Sequence, residues 1–135
     1  MINVICDREK LCLKVTGHAR SDLPGRDLVC CSVSTLVYTL GTNVLAMEKK
    51  GWAELVKVEL APGRAEIAFV PGKGFRGMGL VCFDTVSMGL QMLARNYPQY
   101  ILWEELGDRE GKGSRATISQ GKPKWPRETG ERMRA

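Results

Sequence analysis

The sequence predicts an α+β fold: a mainly antiparallel sheet built from two hairpins plus a last strand, with two helices packed on it. Three observations carry this. β-rich runs occur in two close pairs, "INVIC" with "LCLKVTGHA" and "AELVKVELA" with "RAEIAFV". Each pair is followed by a long stretch whose apolar residues recur at spacings of three and four. A short apolar run, "QYILWEEL", ends the patterned part of the chain. Strands clustered as hairpins pair antiparallel, so the order β-β-α-β-β-α-β implies helices laid on a mostly antiparallel sheet.

The first hairpin turns through "DREK", a polar tetrad between two β-rich runs. The first helix is "DLVCCSVSTLVYTLGTNVLAMEKKG", in which Val29, Val33, Leu36, Val37, Leu40, Val44 and Met47 fall on one face. Asp27 suits the N-cap, and Lys49, Lys50 and Gly51 suit a helix end. Gly41 in the interior weakens the helix slightly. The second hairpin turns at "PG". In "GFRGMGLVCFDTVSMGLQMLARNY", Cys82, Phe83, Val86, Leu90, Leu93 and Tyr97 share a helical face, and Pro98 marks the stop.

From "GDREGKGS" onward apolar periodicity is lost and Gly, Lys, Arg and Pro dominate. Such a stretch buries too little surface to offset its ordering entropy. The expected organisation is one domain over residues 1–106 and a basic, disordered tail over 107–135. The net charge of +5 belongs mostly to that tail, whose eight Lys/Arg face four Asp/Glu. The domain itself is therefore close to neutral and is not a basic, nucleic-acid-like fold.

Composition excludes several classes. The balance of 44% hydrophobic to 26% charged residues is that of a globular protein. Five cysteines cannot form a complete disulfide framework, so free thiols in a reducing compartment are expected. One histidine and no CxxC spacing give no metal site. No phosphate-binding glycine motif appears, so no cofactor is expected. "MINVICDREK" does not read as a signal peptide, and uninterrupted apolar runs fall short of the roughly 20 residues of a membrane span. A cytoplasmic location without membrane contact follows as the expectation.

The stretch "GHARSDLPGRDLVCCSVS" holds the single histidine and two adjacent cysteines. With Asp27 as N-cap, Cys30 lies in the first helical turn, where the backbone N–H groups and the dipole favour a thiolate. Cys31 is turned about 100° around the helix, so the two thiols do not face the same place. His18 ends the preceding strand. The loop between them, with Pro24 and Gly25, is long enough to double back, bring imidazole to thiol and hinge over the site as a lid. First-turn amides are candidate oxyanion donors. Against this stands packing, because cysteine is among the most buried residue types. Packing is the expectation for Cys6, Cys12 and Cys82.

"GHA", a loop, then "GRDLVCCSVS" resembles the signature of the ribosomal-processing cysteine protease family, Prp. "GLQMLARNYPQYI" is similar to that family's second helix and last strand, so the likeness spans about residues 1–106. The resemblance implies that His18 and Cys30 are the catalytic pair. Asp27 and Ser34 match motif positions: Asp27 caps the helix or orients His18, and Ser34 bonds a backbone carbonyl or touches substrate. It implies an endopeptidase that removes the N-terminal extension of a large-subunit ribosomal protein, cutting after an aromatic-ended hydrophobic motif. It further implies a homodimer. Two departures stand out: Cys31, where the family usually has a small residue, and the tail.

Two rival readings accompany this one. A non-catalytic ribosome- or RNA-associated protein would use the basic tail, with Trp125 among "KPKWPR" for phosphate contact and stacking. Composition favours a solvated tail over that role. A redox-sensing protein would use Cys30 and Cys31, but adjacent cysteines rarely suit a simple bridge.

Overall fold

The computed structural model describes residues 1–20, 22 and 27–107. Its elements follow the expected order: β1 (Ile2–Asp7), β2 (Cys12–Gly17), α1 (Leu28–Lys49), β3 (Ala53–Ala61), β4 (Arg64–Pro71), α2 (Arg76–Asn96) and β5 (Ile101–Leu106). The five strands form one sheet in the order β3-β4-β2-β1-β5. The pairs β1–β2, β2–β4 and β3–β4 are antiparallel. The β1–β5 pair is parallel, which makes the sheet mixed.

The parallel edge follows from the crossovers. Given these pairings, β2 and β3 run in one direction and β1, β4 and β5 in the other. Each helix therefore joins two strands of the same direction and must run back along the sheet between them. This places four features at one end of the sheet: the start of β1, the end of β2, the N-terminus of α1 and the β3–β4 turn. Register agrees, since Ile2 pairs with Gly17 and Thr16 with Arg64.

One face of the sheet is apolar. Ile2, Val4, Cys6, Leu13, Val15, Ile67 and Phe69 are buried there, alternating with outward residues as a pleated strand requires. Against them α1 lays Val29, Val33, Val37, Leu40, Val44 and Met47, and α2 lays Phe83, Val86 and Leu90. Each such side chain contributes roughly 1.5–3 kcal/mol when buried. The other face carries Lys14, Lys57 and Glu66, with Lys57 Nζ 2.7 Å from Glu66 Oε2. Gly41 belongs to the packing: a Cβ there would lie 2.9 Å from Leu60 Cδ1, so its absence lets α1 sit close to β3.

Three expectations change. Tyr97 is exposed, because α2 ends at Asn96 and Tyr97 is already the cap, its N–H bonded to the Leu93 carbonyl. Cys12 and Cys82 are half-buried rather than core, and only Cys6 of the three is fully packed. By length and composition, α1 and α2 are apolar enough to cross a membrane, which counting uninterrupted runs overlooks. Both commit one face to the sheet, as core helices do. The residues Pro24 and Gly25, expected in a lid, and the tail beyond Gly107 lie outside the described residues.

Candidate active site

The site is assembled where the four chain features meet at one end of the sheet. Asp27 has extended backbone angles (φ −77°, ψ 98°) and caps α1, its Oδ1 accepting the Cys30 N–H at 3.0 Å. Its carbonyl accepts the Cys31 N–H, also at 3.0 Å. The cap thus fixes Cys30 in the first turn, near the positive end of the helix dipole. Cys30 Sγ accepts a hydrogen bond from the Ala19 N–H at 3.2 Å. The amide that reaches the sulphur therefore belongs to the residue after His18.

His18 lies one residue past β2 and is held by its backbone. Its carbonyl accepts from the Met1 α-amino group at 2.7 Å. The preceding amide, Gly17 N–H, donates to the Gly63 carbonyl at 2.9 Å. Gly63 occupies the second position of the β3–β4 turn, after Pro62, with φ +72°. The imidazole rests on its bare α-carbon: a Cβ built there would meet His18 Nε2 at 2.6 Å and Cε1 at 3.0 Å.

Two adjoining clefts open here. The narrower, of about 210 Å³, has His18, Cys30 and Ser34 on its border and mainly apolar walls from Val33, Val37, Tyr38 and Pro62. The wider, of about 580 Å³, is lined by His18, Arg20, Asp22, Asp27, Cys30, Cys31 and Ser34. His18, Cys30 and Ser34 border both. Ser34 is one turn beyond Cys30 on the same face; its neighbours Ser32 and Thr35 bond the carbonyls of Leu28 and Cys31. Cys31 is exposed at the edge of the wider cleft and does not line the narrower one.

The other thiols are in different surroundings. Burial pushes the Cys6 thiol up to about 12, helped by the nearby carboxylates of Glu105, Asp7 and Asp84. Burial and Glu66 also raise Cys12. Both shifts disfavour the thiolate, which is the reactive form. Among the described residues, no group of three or more His, Cys, Asp or Glu side chains converges as metal ligands would.

The structure brings His18, Asp27, Cys30 and Ser34 together, and places Pro24 and Gly25 outside the described residues. It narrows one expectation. Among the first-turn amides, those of Cys30 and Cys31 are taken up by Asp27, and the Ala19 N–H is the amide directed at the sulphur. Gly63, Tyr38 and Arg64, which also line the narrower cleft, were not foreseen. The only signal for Gly63 was its "PG" turn, and nothing in sequence spacing connects that turn with His18, 45 positions earlier.

Comparison with known proteins bears on this geometry. The profile of a family described as "Cysteine protease Prp" matches residues 1–102. The ribosomal processing cysteine protease Prp of Mycoplasma pneumoniae is 27% identical over 109 residues, covering 78% of this chain and 95% of the relative. Two crystal structures of the essential ribosomal processing protease Prp from S. aureus share the fold. The complex with a covalently linked product peptide has a TM-score of 0.63 at 20% identity, covering 78% of this chain and 99% of the other. The complex with a substrate peptide has a TM-score of 0.57 at 17% identity, with the same coverage. With the profile matched over most of its length, this chain belongs to the Prp family of cysteine proteases.

Proposed function

We propose that this protein is a cysteine endopeptidase that removes the N-terminal extension of a large-subunit ribosomal protein during ribosome maturation, with Cys30 as nucleophile and His18 as its acid–base partner. The observation that carries the reading is the Ala19 N–H bond to Cys30 Sγ. It ties the segment bearing the chain's single histidine to a sulphur in the first turn of a helix, at the junction of two clefts.

His18 takes the Cys30 proton, and Sγ attacks the scissile carbonyl. As the sulphur forms its new bond to carbon, it ceases to be an acceptor for the Ala19 N–H. That amide is then free to donate to the oxygen developing beside it. His18 returns the proton to the leaving amine, and water releases the acyl-enzyme. The narrower cleft is smaller than the roughly 300–1,000 Å³ of sites that take whole drug-sized ligands. Its size and apolar walls suit one large hydrophobic side chain next to the cut. Ser34, between the clefts, would touch the peptide backbone there.

The location would be cytoplasmic, where the substrate is made, and the assembly a homodimer. Support for the dimer comes from α2, where Met78, Val81, Met88 and Met92 are exposed. With Thr85 they follow a three-four spacing, the pattern of a helix-pairing seam. The direct test is incubation with the extended ribosomal protein and mass measurement of the product. A single truncation at one bond is expected, and an uncut substrate would contradict the proposal.

A further inference from the structure

We infer that Gly63 is a positioning residue for His18: the β3–β4 turn lacks a side chain at this point so that the imidazole can rest on its backbone and face Cys30. The inference depends on the Cys30–His18 reading above and adds a residue from a part of the chain that carries none of the motif.

Three observations converge. Gly63 has φ +72°, a region that glycine enters without penalty. A Cβ there would stand 2.6 and 3.0 Å from His18 Nε2 and Cε1, too close on two ring atoms, with Cδ2 in ordinary contact at 3.4 Å. The Gly63 carbonyl also accepts the Gly17 N–H at 2.9 Å, locking the turn to the end of β2 from which His18 projects. Neither partner can simply withdraw. The turn is pinned by this bond, and the His18 backbone by the Met1 amino group on one side and by Ala19 on the other. A methyl at position 63 must therefore be relieved by rotating the imidazole.

Gly51 supplies a matched control. Its φ is +73°, nearly the same, yet nothing lies within 4 Å of a Cβ added there. Gly51→Ala brings the left-handed backbone strain without the clash. Residues Gly63 and Gly51 thus separate general destabilisation from displacement of one ring.

The test measures alkylation of Cys30 by iodoacetamide between pH 5 and 9, in a Cys31→Ala background so that a single cleft thiol reacts. It compares the parent, His18→Ala, Gly63→Ala, Gly51→Ala and the His18→Ala/Gly63→Ala double variant. Ring resonances of His18, the only histidine in the sequence, are followed in parallel by NMR. We expect Gly63→Ala to lower the rate at pH 6 by about tenfold or more, as His18→Ala does. The double variant should be no slower than His18→Ala alone, and Gly51→Ala should keep the parent profile. Cleavage by Gly63→Ala should lose kcat with KM little changed. If Gly63→Ala unfolds, Gly63→Asn replaces it, since asparagine tolerates left-handed backbone but still places a Cβ against the ring.

A parent-like profile and His18 titration in folded Gly63→Ala, with His18→Ala slow, would overturn this inference and leave the proposed dyad standing. If His18→Ala itself reacts like the parent, the dyad is wrong and the positioning role falls with it. If the double variant is much slower than either single one, Gly63 acts independently of His18 and the inference is overturned.

Discussion

Replacing Asp27 separates two roles that the sequence left equal, capping α1 and orienting His18. Its carboxylate accepts the Cys30 N–H at 3.0 Å, so Asp27→Ala removes a helix cap at the very residue that bears the thiol. Loss of an N-cap side chain costs about 1 kcal/mol, within a range of roughly 0.5–2 kcal/mol. For a folded unit of this size that corresponds to a melting temperature about 4–8 °C lower. Asp27→Asn keeps an acceptor oxygen at the cap. It forgoes the favourable charge at the helix N-terminus, about 0.3–1 kcal/mol. If the cap is what positions Cys30, Asp27→Asn should melt near the wild type and retain most peptide cleavage, while Asp27→Ala loses both. Thermal denaturation and cleavage kinetics on the three proteins decide it. An Asp27→Asn protein that melts normally but is as inactive as His18→Ala would refute the reasoning, because the carboxylate charge would then be acting on the imidazole.

Other outcomes follow from the same geometry. Cys30→Ser should still bind the substrate peptide without cutting it, since the shape is kept and the sulphur is lost; calorimetric titration checks this. Because burial holds the folded Cys6 thiol at about 12 against an ordinary 9.0, its contribution to stability is fully present below pH 9. It declines by about 1.4 kcal/mol per unit from there toward pH 12, as the unfolded thiol ionises first. Denaturant titrations should show that alkaline decline flattened in Cys6→Ala. Phe83, fully buried where α2 meets the sheet, should cost about 3–5 kcal/mol when replaced by alanine, measured by chemical denaturation. For the proposed dimer, Met88→Glu should lower the light-scattering mass to that of a monomer without loss of secondary structure; a mass that stays dimeric would place the interface elsewhere. Removing residues 108–135 should leave cleavage nearly intact, because among the described residues the packed core reaches no further than Ile101 and Trp103 in β5.

Much of this fold was legible because burial imposes short-range periods. Val29, Val33, Val37, Leu40, Val44 and Met47 announce one helix face at 3.6-residue spacing, and all are buried. The alternation in "INVIC" likewise marks Ile2, Val4 and Cys6 as the inner face of β1. The parallel pairing of β5 with β1 was not legible, because strand direction at a sheet edge is set by the path of α2 and leaves no periodic trace. At the site, the Asp27 cap was readable, since a capping side chain and its N–H partner lie only three residues apart. Gly63 was not, because its contact with His18 joins the ends of neighbouring strands that are far apart in sequence, and the residue identifies itself only as a turn former. Gly41 misled for a similar reason: read locally it weakens a helix, while in three dimensions it admits Leu60.

Cys30, and not its neighbour Cys31, is the proposed nucleophile. Cys30 alone receives the Ala19 N–H and borders both clefts, whereas Cys31 stands exposed at the edge of one. The most direct measurement is cleavage of the extended ribosomal protein by Cys30→Ala and Cys31→Ala side by side, read as product mass. No product is expected from Cys30→Ala, and near-normal truncation from Cys31→Ala. Cleavage by Cys30→Ala, with or without activity in Cys31→Ala, would contradict this proposal.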